Sequence, residues 1–329
     1  MARTDFRLPA EWERQSATLL AWPHEKTDWQ GDLAAIREEY VALVHAITRR
    51  QPAVVLVPPG DTSASSAIGS RPGLHLVESP YNDTWCRDYG PITLVHGGDR
   101  LALDFYFNGW GGKYAANLDN RVNTLLARHE LFNRFTFRQY LFELEGGAID
   151  SDGKGFLLVN WNSLRARHAH LSARELDHEL HTLLNVDKVL GVDIPPMAGD
   201  DTDGHIDTLA RFLNPDTIVY QSQLDPTRST QLRTQLEKLS GDGGREFELL
   251  QLPTADDLPR NLPASYANFV FVNDGLLVPA FGSRNDEKAR EILEQALPER
   301  RVESVPARAM IRQFGGPHCA TMHIPSSLG

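Results

Sequence analysis

The chain has 329 residues, 41% of them hydrophobic and 23% charged, the make-up of a soluble globular protein with room for one large domain or two ordinary ones. No run approaches the ~20 apolar residues of a membrane helix, the N-terminus lacks the apolar core of a secretion signal, and two cysteines cannot build a disulfide framework, so the expected location is the cytoplasm with both thiols free. With no apolar run of that length, no membrane partner is expected; a net charge of −11 argues against nucleic acid as a partner and is permissive of a small cation.

In chain order, Ala17 to Trp22 reads as a first β-run, and Leu33, Ile36, Tyr40, Leu43, Val44 and Ile47 keep a helical stripe before a second run at Val54 to Val57. Ser63 to Arg71 reads as a flexible loop. From Asp88 onward the same unit recurs: polar residues, a strand, a short turn, a strand, a helix, then a further β-run. The first hairpin turns at His96-Gly97-Gly98-Asp99, the second at Ser151 to Gly155, the third at Asn214-Pro215-Asp216 and the fourth at Asn273-Asp274-Gly275, all turn chemistry. The intervening helices are expected at Asn117 to Phe132, at Ser172 to Leu184 behind a Ser172–Glu175 capping box, at Thr227 to Leu239, and at Asn285 to Leu297, stopped by Pro298. The later β-runs are Tyr140 to Phe142, Val189 to Val192, Phe247 to Leu250 and Val302 to Val305.

The units start at 88, 145, 203, 266 and 315. The fifth is cut short by the C-terminus and needs a strand from elsewhere, for which Ala17 to Trp22 is available. The pattern therefore predicts five hairpin-plus-helix modules closed into a ring within one domain, residues 1–329, with the module starts near the axis. An ordinary α+β domain without symmetry is the competing architecture.

In the ring the module starts bring together Asp88, Glu145, Asp203 with His205 and Asp207, Asn268 and Cys319. One use of such a set is attack on a planar cation. A guanidinium is charged at any ordinary pH; carboxylates hold it in its own plane by charge-assisted hydrogen bonds, a thiolate attacks from above, and a histidine protonates the departing amine and then activates water. A second use is metal binding. Asp200, Asp201, Asp203, His205 and Asp207 are dense in hard ligands, and alternation at 203, 205 and 207 would put three on one face of a strand. A third is a Cys–His acyl transferase, for which no local signature is present. Blander roles stand beside these: Cys86 as packing, Trp85 and Trp110 as core aromatics, Glu145 and Asp203 as turn anchors, and His318 as a structural residue.

Five stretches in order resemble the agmatine deiminase and bacterial-type peptidylarginine deiminase family across nearly the whole chain. They are Leu8-Pro9-Ala10-Glu11-Trp12-Glu13 with Leu20-Ala21-Trp22-Pro23; Asn82-Asp83-Thr84-Trp85-Cys86-Arg87-Asp88; Phe107 to Gly112 with Glu145-Gly146-Gly147; Gly199 to Asp207; and His318-Cys319. The resemblance implies a fivefold pseudosymmetric α/β propeller of the pentein kind. It also implies a nucleophile, Cys319; an acid/base, His205; two guanidinium ligands, Asp88 and Asp207; a pocket lined by Trp85, Trp110, Glu145 and Asp203; and no metal or organic cofactor. The chain departs from the pattern at Phe314, which interrupts a glycine-rich run, at Gly316 and Pro317, which stand for asparagine and isoleucine, and at Asp201, which stands for glutamate. These changes touch the substrate tail more than the chemistry.

The expected activity is hydrolysis of a guanidinium C–N bond, with agmatine giving N-carbamoylputrescine and ammonia. Arginine and peptidyl-arginine are the alternative substrates, a metal-dependent hydrolase or a polyamine-binding module the alternative functions. The sequence is compatible with a homo-oligomer.

Overall fold

Strand pairing in the computed structural model, which describes residues 5–241 and 245–326, follows the module boundaries. Ile92–His96 turns back on Asp99–Tyr106, which pairs in parallel with Phe135–Glu143. Ile149–Ser151, Phe156–Asn160 and Lys188–Val192 repeat that order. So do Ala210–Asn214, Thr217–Gln221 and Glu248–Leu252, and Val270–Val272, Gly275–Ala280 and Arg301–Pro306. The antiparallel pair needs only a tight turn, whereas the parallel strand needs the long crossover that the helices supply.

The fifth sheet closes the ring. Thr321–Pro325 lies antiparallel to Gln15–Ala21, with Leu19 opposite Met322 and Leu20 opposite Thr321, and Gln15–Ala21 continues in parallel to Ala53–Val57. Five small sheets arranged in this way form the fivefold pseudosymmetric α/β propeller. Leu74–Glu78 adds a fourth strand at the edge of this sheet, which the sequence pattern did not suggest.

Other expectations shift. The capping box at Ser172 is formed in both halves, and its helix runs Ala173–Leu184. Leu33–Thr48, Pro226–Leu239 and Asp286–Ala296 match the expected helices within two residues. The stretch at 117–132 instead breaks into two 3-10 turns flanking Val122–Leu126. Side chains have captured its backbone: Asn82 accepts from the Leu118 amide, and the Asn120 side chain donates to the Ala116 carbonyl and accepts from the Phe107 amide, in competition with helical bonding. Ser63–Ile68 is a short helix rather than a loop, because Ala64 and Ile68, four apart, both bury.

Each module opens with a single backbone turn just before its first strand. The closing bonds run from Gly90 to Cys86, Ala148 to Glu145, Thr208 to His205, Asn268 to Ser265 and Ala320 to Gly316. These turns meet near the axis and carry the polar residues inward.

Candidate active site

The module-start turns pack so closely that several positions have no room for a side chain. A Cβ on Gly147 would sit 2.5 Å from Nδ1 of His205 and 2.9 Å from Oδ1 of Asp88; one on Gly315 would sit 2.4 Å from the Trp85 ring; one on Gly316 would sit 2.5 Å from Oδ1 of Asn268. Glycine is what lets three modules approach one point.

At that point Cys319 lies beside Asp207, with Sγ 3.6 Å from Oδ2, and the Asn268 amide donates to the sulfur at 3.1 Å. Cys319 also lines a cleft whose empty space, open solvent included, is about 390 Å³, together with Asp83, Trp85, Asp88, Trp110 and, toward the mouth, Asp28, Tyr114, Asp201, Gln313 and Phe314. Asp88 is fixed by two donors, the Gly147 amide to Oδ1 and the Trp110 indole to Oδ2, each at 2.9 Å. Trp110 makes that bond from a left-handed backbone, φ 55°, a conformation that costs energy for a bulky residue and is held here by the surrounding packing.

His205 is wholly buried between two acids. Its Nδ1 is 3.7 Å from Asp88 Oδ1 and its Nε2 3.8 Å from Glu145 Oε2, beyond hydrogen-bond length but close enough for strong attraction in a poorly solvated site. Burial opposes its charge, yet Asp88 and Glu145 overcome that and raise His205 to about 9. Burial lifts Asp88 to about 6 against the pull of His205. Glu145 stays below the usual carboxylate range despite burial, held by His205 and by Arg167, whose Nε is 2.6 Å away. Burial, Asp207 and Asp88 together push the Cys319 thiol well above its ordinary value.

Four polar atoms of this cluster are buried without a hydrogen-bond partner: both ring nitrogens of His205, Oε2 of Glu145 and Oδ1 of Asp207. Each such group costs about 1–3 kcal/mol if left unmet. The two His205 nitrogens and Glu145 Oε2 belong to the long Asp88–His205–Glu145 contacts, which leaves Asp207 Oδ1 as the acceptor with no group facing it.

A family model described as Porphyromonas-type peptidyl-arginine deiminase matches residues 7–325. The chain belongs to that family. It is 30% identical to the agmatine deiminase of Pseudomonas syringae pv. tomato over 98% of this chain and 96% of that one. A solved structure of a cysteine-to-serine variant of C. jejuni agmatine deiminase with substrate bound superimposes with a TM-score of 0.91, 33% identity, and coverage of 98% of this chain and 97% of that one. A dimethylarginine dimethylaminohydrolase structure, 15% identical with a TM-score of 0.57 over 94% of this chain and 100% of that one, shares the fold alone.

Within this family member, the structure brings together Cys319, His205, Asp88, Asp207, Glu145, Trp85 and Trp110. Glu145 lies behind His205 rather than along the open cleft. Asp203 does not reach the cleft either: its carboxylate is taken up by Arg167 at 2.6 Å and Lys113 at 2.9 Å, so it braces the rim. The metal reading loses its basis. Residues 203–205 form a turn and Ile206–Leu209 a helical turn, so the three side chains do not share a strand face, and among the described residues no group of three or more potential ligands is placed to hold a metal ion. Cys86 is fully buried, its sulfur 3.3 Å from the Leu19 and Ala320 carbonyls, consistent with packing. Among the described residues no helix is long and apolar enough to cross a membrane.

Arg167, Arg211 and Glu11 were not singled out for the site. Arg211 pairs with Asp150 at 2.8 Å and with Glu11 at 3.2 Å, and Glu11 reaches His318. The only sequence signal for any of them was the place of Glu11 in the Leu8–Glu13 stretch.

Proposed function

We propose that the chain is an agmatine deiminase, converting agmatine and water to N-carbamoylputrescine and ammonia in one catalytic domain in the cytoplasm. The observation that carries this is the carboxylate oxygen Oδ1 of Asp207, buried without a donor, on the acid that faces the Cys319 sulfur, next to a cleft lined by Cys319 and Asp88. A guanidinium supplies N–H donors in one plane to Asp207 Oδ1 and the Asp88 carboxylate, and its positive charge offsets theirs.

The chemistry follows from that pose. In the free enzyme the thiol keeps its proton. A guanidinium between Asp88 and Asp207 cancels the charges that hold the proton on, and the sulfur attacks the central carbon as a thiolate. The thiol proton passes to solvent through the cleft, the C–S bond forms, a C–N bond breaks, and His205, already protonated, gives its proton to the departing ammonia. The amidino-thioether left on Cys319 keeps its positive charge. Water, giving its proton to His205, attacks the same carbon, and the C–S bond breaks to release the carbamoyl product and restore the thiol. Agmatine deiminases related along their full length support the same assignment.

The tail of the substrate is read at the cleft mouth. Asp28, Asp83, Asp88 and Asp201 line the cleft, and among the described residues no lysine or arginine does. Burial pushes Asp83 up to about 8, and a cation beside it would draw it back toward its charged form. Such a lining suits the terminal ammonium of agmatine and disfavours the α-carboxylate of arginine. Ammonia release from agmatine, free arginine and an arginyl peptide tests this directly. We expect kcat/KM for agmatine to exceed that for arginine by about 10²-fold or more, since a carboxylate set among like charges costs several kcal/mol. Equal or faster turnover of arginine or the peptide would overturn the substrate assignment, and no ammonia from any of them would leave a binding module.

A further inference from the structure

His318 stands next to the nucleophile, yet the steps above do not use it. Its side chain is 1% exposed and lies between two acids, with Nδ1 2.7 Å from Asp207 Oδ2 and Nε2 2.7 Å from Glu11 Oε2. A carboxylate only accepts hydrogen bonds, and a neutral imidazole has one N–H and one bare nitrogen. Both contacts are satisfied together when both ring nitrogens carry hydrogen, so the ring is a cation clamped between two anions.

The far end of the clamp is anchored. Glu11 Oε2 also accepts from Arg87 and Arg211, each at 3.2 Å, and Glu11 Oε1 accepts from the Phe271 amide at 2.8 Å. The near end decides what Asp207 can do. Its Oδ2 is taken by His318 and by Asn268 at 3.3 Å. Its Oδ1, buried and unpaired, is left for the substrate. The same Oδ2 faces the Cys319 sulfur at 3.6 Å.

We propose that His318 is a positioning residue that acts through Asp207 as a fixed counter-charge: it locks Oδ2, turns Oδ1 toward the guanidinium, and offsets the negative charge that Asp207 presents to the Cys319 sulfur. This rests on the reading of Cys319 as nucleophile and Asp207 as guanidinium ligand. Two directions agree with it. Burial opposes ionisation of Asp207, and the bond to His318 and its charge overcome that to hold the carboxyl below its usual range. Burial is overcome likewise at Glu11, by His318, Arg211 and Arg87. Without the imidazolium, Asp207 would retain a proton more readily, and whatever charge it kept would bear on the sulfur undiminished. The other charged groups facing this pair are Asp88 and His205 from neighbouring turns and Arg87 and Arg211 from behind; His323, 3.7 Å from Glu11, is kept neutral by burial, which pushes it down to about 3. They are the same in wild type and variant, so a change between the two reports His318.

The test compares His318→Gln with wild type in the full chain, using two alkylating probes: a haloacetamidine, whose amidinium is a planar cation, and neutral iodoacetamide. Wild type is expected to label Cys319 faster with the cationic probe. In His318→Gln that preference falls by about tenfold or more, as expected when a charged hydrogen-bonded contact is weakened. The pH midpoint for labelling by iodoacetamide also moves up, and KM for agmatine rises as kcat falls. A residue that only packs would slow both probes alike and leave the midpoint in place, and that result would overturn the proposal. Failure of wild type to label at Cys319 during active turnover would instead remove the nucleophile assignment beneath it. Should His318→Gln not fold, histidine-selective ¹⁵N spectra of wild type at neutral pH give the answer: two protonated nitrogens on His318 support the clamp, and one bare nitrogen contradicts it.

Discussion

Cys319→Ser is expected to keep agmatine bound and release no ammonia, with kcat lowered by about 10⁴- to 10⁶-fold, the loss seen when a nucleophile that works as part of a unit is removed. The hydroxyl replaces the thiol in a space set by Asn268 at 3.1 Å and Asp207 at 3.6 Å, so the carboxylates proposed to hold the guanidinium are expected to keep their places. Its oxygen does not ionise near neutral pH when a cation arrives, whereas the sulfur can. Binding should persist in calorimetry while coupled ammonia assays stay flat. The C. jejuni relative in its cysteine-to-serine form holds substrate, which is the behaviour expected here. Turnover within tenfold of wild type would place the attacking group elsewhere.

Asp88→Asn is the second large effect. Asp88 links several parts of the site: it accepts from Gly147 and Trp110, faces His205 at 3.7 Å and lines the cleft that Cys319 also lines. The amide keeps the shape and loses the charge. Breaking a buried charge contact of this kind costs about 3–4 kcal/mol, or about 10²- to 10³-fold in kcat/KM. The pH profile separates this from simple misfolding. In wild type Asp88 takes up a proton below about 6, the guanidinium loses its anion, and kcat/KM falls on the acid side. Above about 9 His205 loses its proton, and with it the acid for the leaving group, so the rate falls again. In Asp88→Asn the acid limb near 6 should vanish. The basic limb should move down, because the Asp88 charge helps to raise His205. An unchanged profile would take Asp88 out of the chemistry.

Much of the ring was legible because its signals are local. Gly97-Gly98, Asp152-Gly153, Asn214-Pro215-Asp216 and Asn273-Asp274-Gly275 mark hairpins by their own backbone preferences, and the repeat of hairpin, helix and strand carries the closure through Gln15–Ala21. What failed locally failed for a physical reason. The stretch at 117–132 has helical composition, but Asn82 takes the Leu118 amide, while the Asp119 and Asn120 side chains are drawn out of it to the Asn82 amide and the Ala116 carbonyl. The carboxylates near 203 look like an alternating strand, but Asp203 takes a left-handed φ of 65° and Gly204 one of 91°, which turns the chain before the helix begins.

That Cys319, His205, Asp88 and Asp207 would meet could be expected from sequence because the proposed chemistry needs a thiol, an imidazole and carboxylates, which are particular residue types. Their supports could not. Arg211 finds Glu11 across 200 positions, and Arg167 finds Glu145 from an ordinary helix; neither has a local pattern to betray it. His318 looked structural because its partners, Asp207 and Glu11, lie 111 and 307 positions away.

The most direct test is to quench the enzyme with acid during turnover of agmatine and weigh the peptide that carries residue 319. The account predicts a transient mass gain on Cys319 matching an amidino-thioether of the agmatine skeleton, absent in Cys319→Ser. Steady ammonia release with that peptide unmodified at every time point, or with the adduct on Cys86, would contradict it.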